Sequence, residues 1–290
     1  MTSQISRREF RKMLVPGAAL LLPGVANALA ARVVADQGFA AAYVTGAGIA
    51  NTFFGVPDIG LVTVSELAAH VAAIREVFPG PLVVDADTGF GNAVNVVRTV
   101  SLLERAGADA LQIEDQVFPK RCGHFAGKHV IPTVEMVGKI KAAVDTRRDG
   151  DLLIIARTDA IAPEGYEAAV ARAAAYHDAG ADVTFVEAPT SLAQIADIPR
   201  QLRWPQLINI VIGGKTPAMP VQALGDMGYS LVLYANTALQ GAVMGMQNAL
   251  GRLKQDGLIE EHSGLVVGFA ERQRLVGKPE LDAIAKRYNT

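Results

Sequence analysis

The chain has 290 residues, half of them apolar, and a net charge of −2 with acidic and basic residues mixed along its length. The lack of a strongly basic region argues against nucleic acid or an anionic membrane as partner and indicates a small-molecule ligand. A single cysteine excludes an intrachain disulfide framework and is compatible with a reducing compartment. No apolar run reaches the roughly 20 residues that a membrane-spanning helix needs.

The N-terminal segment imitates an export signal, but we interpret it as part of a mature cytoplasmic protein. The sequence Ser6-Arg7-Arg8-Glu9-Phe10-Arg11-Lys12, the apolar run after it and the small residues at 26–30 resemble a twin-arginine signal with its cleavage site. Two Pro-Gly pairs interrupt that run, and 18–22 is predicted to be a short buried strand followed by a helix over 27–37. Cleavage would remove this first strand.

Strands and helices are predicted to alternate along the rest of the chain. Further strands are expected at 40–45, 82–88, 111–116, 152–158, 183–188, 206–211 and 231–235, and helices at 64–77, 93–106, 133–146, 166–179, 191–202, 220–227 and 237–255. The strands are almost continuously apolar, as expected for parallel strands covered on both faces. Eight such units in about 250 residues predict an α/β fold, a (β/α)8 TIM barrel, over 1–257. Residues 258–290 are expected to form a C-terminal helical extension whose apolar residues can pack on a neighbouring subunit.

Polar residues concentrate where the predicted strands end. The set comprises Thr45, Asp85, Asp87, Glu114, Asp115, Arg157, Asp159, Glu187, Asn209 and Asn236. In barrel enzymes the active groups lie at the C-terminal ends of the strands, so these side chains are predicted to share one site.

Two of these carboxylates indicate a cation site. Asp85 and Asp87 are two residues apart on a predicted strand, which places both side chains on the same side. Carboxylates held so close repel each other unless a cation lies near them. Oxygen ligands, with Glu114 from the next strand, suit Mg²⁺ better than zinc. Hydrogen bonding to loop amides is the alternative interpretation.

Two further features carry candidate chemistry. Arg157 is expected to bind a substrate carboxylate, and an ion pair with Asp159 or Glu187 is the competing interpretation. The loop Lys120-Arg121-Cys122-Gly123-His124 places the only cysteine among cations, which favour the thiolate and suit a proton donor or a nucleophile. A solvated basic loop is the alternative. By contrast, Gly46-Ala47-Gly48 is a poor dinucleotide fingerprint, because Asn51 replaces the third glycine and no helix is predicted to open there.

Four segments together resemble the isocitrate lyase and phosphoenolpyruvate mutase superfamily: 85–91, 113–116, 120–124 and 156–160. The resemblance runs from about Leu20 to at least Tyr234. It implies a barrel with Mg²⁺ at its mouth (Mn²⁺ being an alternative), a di- or tricarboxylate substrate and a mobile loop. It also implies a homo-oligomer, usually a tetramer, in which a C-terminal helix is exchanged.

The resemblance also implies roles by position. Thr45, Gly46, Ala47, Asp87, Gly123, Arg157, Glu187 and Asn209 would contact the substrate, and Asp58, Asp85, Asp87 and Glu114 would surround the metal. Tyr43 would lie near the substrate hydroxyl, and Tyr43 or a strand-end carboxylate is the candidate base for its proton. Cys122, with His124 in the same loop, would deliver a proton.

A cysteine in this loop marks the carbon–carbon lyase branch and relatives that hydrolyse oxaloacetate. Methylisocitrate lyases have histidine where Gln112 stands and a Thr-rich stretch after Asn209, so this chain is more similar to the dimethylmalate lyase and oxaloacetate hydrolase relatives there. The expected function is a Mg²⁺-dependent lyase that cleaves a 2-hydroxy dicarboxylate of the substituted malate or methylisocitrate type to an oxo acid such as pyruvate and a carboxylate. Oxaloacetate hydrolysis or decarboxylation is the alternative, and a non-catalytic metabolite-binding barrel is a third hypothesis.

Overall fold

Eight parallel strands form a closed barrel in the computed structural model, which describes residues 6–121, 123 and 127–288. The strands pair in chain order, and β1 pairs with β8 to complete the ring. Their bounds are Leu20–Val25 (β1), Ala42–Val44 (β2), Leu82–Asp85 (β3), Ala110–Glu114 (β4), Leu153–Thr158 (β5), Val183–Val186 (β6), Gln206–Asn209 (β7) and Leu231–Tyr234 (β8). The predicted (β/α)8 barrel is confirmed.

Helices cover the outside of the barrel and extend beyond it. They are Arg7–Met13 (α1), Ala28–Asp36 (α2), Gly46–Ile49 (α3), Val64–Arg75 (α4), Ala93–Ala106 (α5), Thr133–Thr146 (α6), Ile161–Glu164 (α7), Tyr166–Asp178 (α8), Leu192–Gln201 (α9), Val221–Met227 (α10), Thr237–Asp256 (α11), Phe269–Leu275 (α12) and Lys278–Tyr288 (α13). Apolar residues of α2, α4, α5 and α6 pack against the outward faces of the first strands. In the described part of the chain, none of the helices is both long and apolar enough to cross a membrane.

The N-terminal helix α1 was not predicted, and it closes one end of the barrel. Phe10 is wholly buried in a cluster with inward-facing strand residues such as Leu22 and Phe185. Arg7 pairs with Asp149 at 3.1 Å and donates to the Ala108 carbonyl. The segment 7–13 is therefore part of the folded barrel.

Several predicted strands extend too far. The first strand is β1 at Leu20–Val25 and not 18–22, because Ala19 has φ +46° and cannot be in an extended strand. The strand predicted at 82–88 ends at Asp85, since Asp87 has φ +47° and Gly89 has φ +83°. These conformations turn the chain sharply at the barrel mouth.

Helix α11 and the C-terminal extension lie mostly on the surface. Not one residue of the 20-residue α11 is buried, and α11 ends at Asp256, before Gly257, which has φ +69°. The extension returns to the barrel through α12, where Arg274 pairs with Asp36 of α2 at 2.7 Å. The division into a barrel over 1–257 and an extension over 258–290 stays a prediction.

Candidate active site

A cavity at the C-terminal ends of the strands brings together side chains from distant parts of the sequence. Of the predicted site residues, the following line it: Tyr43, Thr45, Ala47, Asp58, Asp85, Gly123, Arg157, Glu187 and Asn209. Gly46, Asp87 and Glu114 do not line it but adjoin residues that do, namely Asp85, Lys120 and Arg157 respectively. Cys122 and His124 fall outside the described residues.

The end of β2 supplies backbone to the site through a short helix. Thr45 caps α3, because its hydroxyl accepts a hydrogen bond from the Gly48 amide at 3.2 Å. A helix thus does open at Gly46, contrary to our expectation, and it continues as a π-helical segment at Ala50–Phe54. A side chain at Gly46 would have its Cβ 3.3 Å from Asp87 Oδ1 and 3.4 Å from Asp85 Oδ2. Glycine therefore lets this backbone approach both carboxylates.

The two aspartates after β3 come together through a turn. The Asp87 amide donates to Asp85 Oδ1 at 3.2 Å, and the left-handed conformation of Asp87 folds its side chain back toward the mouth. The expected proximity is present, but the two-residue strand periodicity that we used to predict it is not its cause.

Lys120 places a cation among these acids. Its ammonium lies 2.5 Å from Asp58 Oδ1 and 2.8 Å from Asp87 Oδ1, and its side chain is only 4% exposed. Burial raises the pKa of Asp87 to about 6, with a contribution from Asp85, although Lys120 acts in the opposite direction. Burial lowers the pKa of Lys120, but the charges of Asp87 and Glu114 outweigh it and hold the ammonium protonated.

Arg157 lies at the centre of a second set of charges. Its guanidinium is 2.8 Å from Asp159 Oδ2, 3.2 Å from Glu114 Oε2 and 3.6 Å from Glu187 Oε1. The ion pair that we considered as a competing interpretation is therefore present. The burial of Asp159 is outweighed by Arg157 and Lys128, which lower its pKa to about 2, whereas burial raises the pKa of Glu114 despite Arg157.

The loop after β4 approaches this arginine through Gly123. A Cβ on Gly123 would collide with Arg157 Nη2 and Glu187 Oε1, so a larger residue here would require the loop or these side chains to move. Lys128, almost fully buried, donates to Asp159 Oδ1 at 2.7 Å and to the Gly123 carbonyl. The Gln116 side chain exchanges two hydrogen bonds with the Arg121 backbone.

Three contributors were missed as site residues by sequence reasoning. Lys120 had been considered only for its effect on the neighbouring thiol, and Gln112 only as a departure from relatives. Lys128 had no assigned role. Nothing in the sequence around Lys120 or Lys128 indicates that either lysine is buried. By contrast, a glutamine inside the apolar strand Ala110–Glu114 could have indicated that Gln112 is buried and hydrogen-bonded.

Tyr43 is held as a phenol. Its hydroxyl donates to Gln112 Oε1 at 2.6 Å, and Gln112 Nε2 donates to Asp85 Oδ1 at 3.2 Å. Burial and the charge of Asp85 raise the pKa of Tyr43 well above its usual value. Tyr43 is therefore a poor base, which favours the carboxylates as proton acceptors.

The donor set fits a hard divalent cation that keeps part of its water shell. Asp85, Asp87 and Glu114 are buried carboxylates, and in the described part of the chain no hydrogen-bond donor reaches Glu114 Oε1. Among those same residues, no three His, Cys, Asp or Glu side chains converge as direct ligands. Mg²⁺ commonly binds through one or two carboxylates and water, so such convergence is not required.

Comparisons with known proteins identify the family. Residues 10–254 match the phosphoenolpyruvate phosphomutase family. The chain belongs to this family. It is 39% identical to 2,3-dimethylmalate lyase of Eubacterium barkeri over 97% of this chain and 98% of that protein. It is 46% identical to 2-methylisocitrate lyase of Aeropyrum pernix over 82% of this chain and 76% of that protein.

A solved structure of oxaloacetate acetylhydrolase with the inhibitor 3,3-difluorooxalacetate superposes with a TM-score of 0.92 at 31% identity, covering 98% of this chain and 97% of that one. The resemblance inferred from the four segments is thus confirmed. The lyase names of the two relatives support the expected class of enzyme, a carbon–carbon lyase.

Proposed function

We propose that this chain is a Mg²⁺-dependent lyase that cleaves a 2-hydroxy dicarboxylate, of the substituted malate or methylisocitrate type, into an oxo acid such as pyruvate and a carboxylate. The observation that carries the proposal is the cavity itself, which combines acids suited to a cation, Asp58 and Asp85, with Arg157 and Asn209, which suit a substrate carboxylate. The lyase relatives support the reaction class.

Asp85, Asp87 and Glu114 would hold the cation, with Asp58 beside them. When bound, Mg²⁺ (or Mn²⁺) would supply positive charge where the substrate hydroxyl loses its proton. Lys120 already supplies one such charge at Asp87, and its ammonium would have to share this region with the metal.

The remaining steps use groups of the chain. Arg157 and Asn209 orient the substrate carboxylates, with Glu187 placing the guanidinium, and the backbone of 45–47 and Gly123 shapes the pocket. A cavity carboxylate takes the hydroxyl proton, since Tyr43 is held as a phenol. The oxygen becomes an oxo group, the adjacent carbon–carbon bond breaks, and its electron pair stays on the departing carboxylate fragment.

Cys122, with His124 nearby in sequence, gives that carbanion a proton. The cavity carboxylate then loses its proton to solvent and the thiolate regains one, which restores the starting state. Each proton and electron pair is thereby accounted for.

Hydrolysis of oxaloacetate is the second candidate, and the close superposition on oxaloacetate acetylhydrolase favours it. It would use the same cavity and cation, with water attacking the oxo carbon. Decarboxylation of oxaloacetate is a further outcome of the same assay.

We also propose that the protein is a homo-oligomer, specifically a tetramer. The 20-residue α11 has no buried residue, and its exposed apolar side chains include Val243, Met244, Met246, Leu250 and Leu253. An apolar face of this length would be covered by a second copy, consistent with helix exchange. The burial of Phe10 supports a mature chain that retains its N-terminal segment, as expected of a cytoplasmic protein.

A product analysis tests the function. The purified protein is incubated with Mg²⁺ and, separately, 2,3-dimethylmalate, 2-methylisocitrate and oxaloacetate. Release of pyruvate or another oxo acid from a hydroxy acid supports the lyase, oxalate with acetate from oxaloacetate supports the hydrolase, and pyruvate with CO₂ supports the decarboxylase. Binding without turnover of any of them would contradict all three.

The role of Cys122 is tested on whichever substrate is turned over. Cys122→Ser removes an acidic thiol with little change in size, and we expect turnover to fall by a factor of about 100 or more, as for loss of a general acid. Full turnover by Cys122→Ser would exclude Cys122 as the proton donor.

A further inference from the structure

Gln112 bridges two groups of the cavity that come from different strands, Asp85 at the end of β3 and Tyr43 on β2. It is 0% exposed, lies on β4 and is in register with Asp85 on β3. Its amide reaches Asp85 at one end and the Tyr43 hydroxyl of β2 at the other. A buried amide in this position fixes which partner donates and which accepts.

The direction of both hydrogen bonds of the Gln112 side chain follows from Asp85. Its Oδ1 atom already accepts the Asp87 amide hydrogen at 3.2 Å, and it accepts Gln112 Nε2 at the same distance. A carboxylate is an acceptor, so the nitrogen end of the amide must face it. The oxygen end then faces Tyr43, and the Tyr43 hydroxyl must donate, at 2.6 Å.

Tyr43 has a single hydroxyl proton, and this arrangement commits it to Gln112. Tyr43 lines the cavity, and its phenolic oxygen retains only the capacity to accept. In the bound ligand, before any proton passes to a cavity carboxylate, a hydroxyl can donate to this oxygen, whereas an oxo group is itself an acceptor. To donate to an oxo group, Tyr43 would have to leave the buried Gln112 Oε1 without a partner, which is unfavourable.

We propose that Gln112 is a positioning residue that makes the site prefer a hydroxyl over an oxo group at the ligand carbon next to Tyr43. The inference rests on the proposed function and deepens it by naming the residue that sets, through Tyr43, the preference for a 2-hydroxy acid. Because of this preference, the site binds the hydroxy-acid substrate more tightly than an oxo-acid product. The preference therefore assists product release.

Matched ligands that the enzyme does not cleave provide the test. Lactate and pyruvate share one carbon skeleton and differ only at the hydroxyl or oxo carbon. Their dissociation constants are measured in the presence of Mg²⁺ by calorimetry, for wild type, Gln112→Leu, Gln112→His and Tyr43→Phe. The ratio of the two constants removes effects that act equally on both ligands, such as a change in the orientation of Asp85.

Wild type is expected to bind lactate more tightly than pyruvate. Gln112→Leu frees the Tyr43 proton, so the preference should fall by about tenfold, the equivalent of one hydrogen bond. A neutral histidine can donate to Asp85 through one ring nitrogen and accept from Tyr43 through the other, so Gln112→His should retain the preference. Tyr43→Phe should lose it.

An unchanged ratio in Gln112→Leu, or a wild-type preference for pyruvate, would overturn the inference while leaving the proposed function intact. Failure of wild type to bind either acid would instead overturn the proposed substrate class, and the inference with it. Thermal unfolding checks that each variant is folded. If Gln112→Leu does not fold, the inference is supported by a ratio that Gln112→His retains and Tyr43→Phe loses, and it is overturned by an unchanged ratio in Tyr43→Phe, because Gln112 acts only through the Tyr43 hydroxyl.

Discussion

The Lys120 ammonium lies 2.8 Å from Asp87 Oδ1, which brings a loop residue into the group of acids that follows β3. Asp58 reaches the same ammonium at 2.5 Å from a different loop. One buried cation thus links two loops to the strand end, in the region proposed to hold Mg²⁺. A lysine and a divalent metal would therefore compensate the same negative charges.

Lys120→Met tests this overlap of charge. Without added metal, the variant leaves Asp58 and Asp87 without their cation, and we expect its melting temperature to fall by several degrees. Saturating Mg²⁺ should then raise the melting temperature of the variant by more than that of wild type, because the metal would replace the positive charge that Asp58 and Asp87 lost with Lys120. Lys141→Met, which alters an exposed lysine, is the control. Equal Mg²⁺-dependent shifts in wild type and Lys120→Met would contradict the conclusion that the lysine and the metal compensate the same negative charges.

Gly123→Ala tests the packing of the loop on Arg157. The added Cβ would collide with Arg157 Nη2 and Glu187 Oε1, so either the loop or the guanidinium must move. A displacement of about 1 Å can lower turnover about 100-fold, and we expect a loss of that order. Gly138→Ala is the matched control, because nothing lies within 4 Å of the added Cβ in the middle of α6. Wild-type kcat/KM in Gly123→Ala would show that this contact is not required for turnover.

Sequence reasoning was most successful where apolar periodicity is long. It gave α5 (Ala93–Ala106) and α6 (Thr133–Thr146) at their observed bounds, and it placed all eight strands in order. Several of the polar residues at strand ends, such as Asp85 and Asn209, do line one cavity, whereas Asp115 instead accepts hydrogen bonds from Thr158 and Tyr176. Their positions follow from barrel topology alone, since parallel strands bring their C-terminal ends together.

The sequence was less informative where side chains choose partners over long distances. Nothing near Lys120 indicates that its ammonium reaches Asp58, and nothing near Gln112 indicates that it contacts Tyr43. Helix α1 was missed because its seven residues are too few for a clear period, although Ser6 and Glu9 form a capping box that could have revealed it.

The low pKa of Asp159 predicts a specific acid sensitivity. A carboxyl whose pKa falls from about 4 in the unfolded chain to about 2 in the fold stabilises the fold above pH 4, and this contribution is lost as the pH falls toward 2. Asp159→Asn should therefore destabilise the protein at pH 7, with an expected loss on the order of 2 kcal/mol from this carboxyl.

Denaturant unfolding between pH 2 and pH 7 measures the effect. The difference in unfolding free energy between wild type and Asp159→Asn should shrink as the pH approaches 2. Asp145→Asn, at an exposed position on α6, serves as the control and should give little difference throughout. A difference that stays constant with pH would mean that ionisation of Asp159 does not contribute to stability.

Phe10→Ala tests whether α1 is an integral part of the barrel. Phe10 is fully buried against the inward-facing strand residues, so truncation leaves a cavity at the closed end of the barrel. The expected cost is about 3–5 kcal/mol, measured by denaturant unfolding. Phe53→Ala, at a side chain that is 60% exposed, should cost about 1 kcal/mol or less. Equal costs for the two variants would mean that the packing of Phe10 does not hold α1 on the barrel, and that the fold does not depend on this segment.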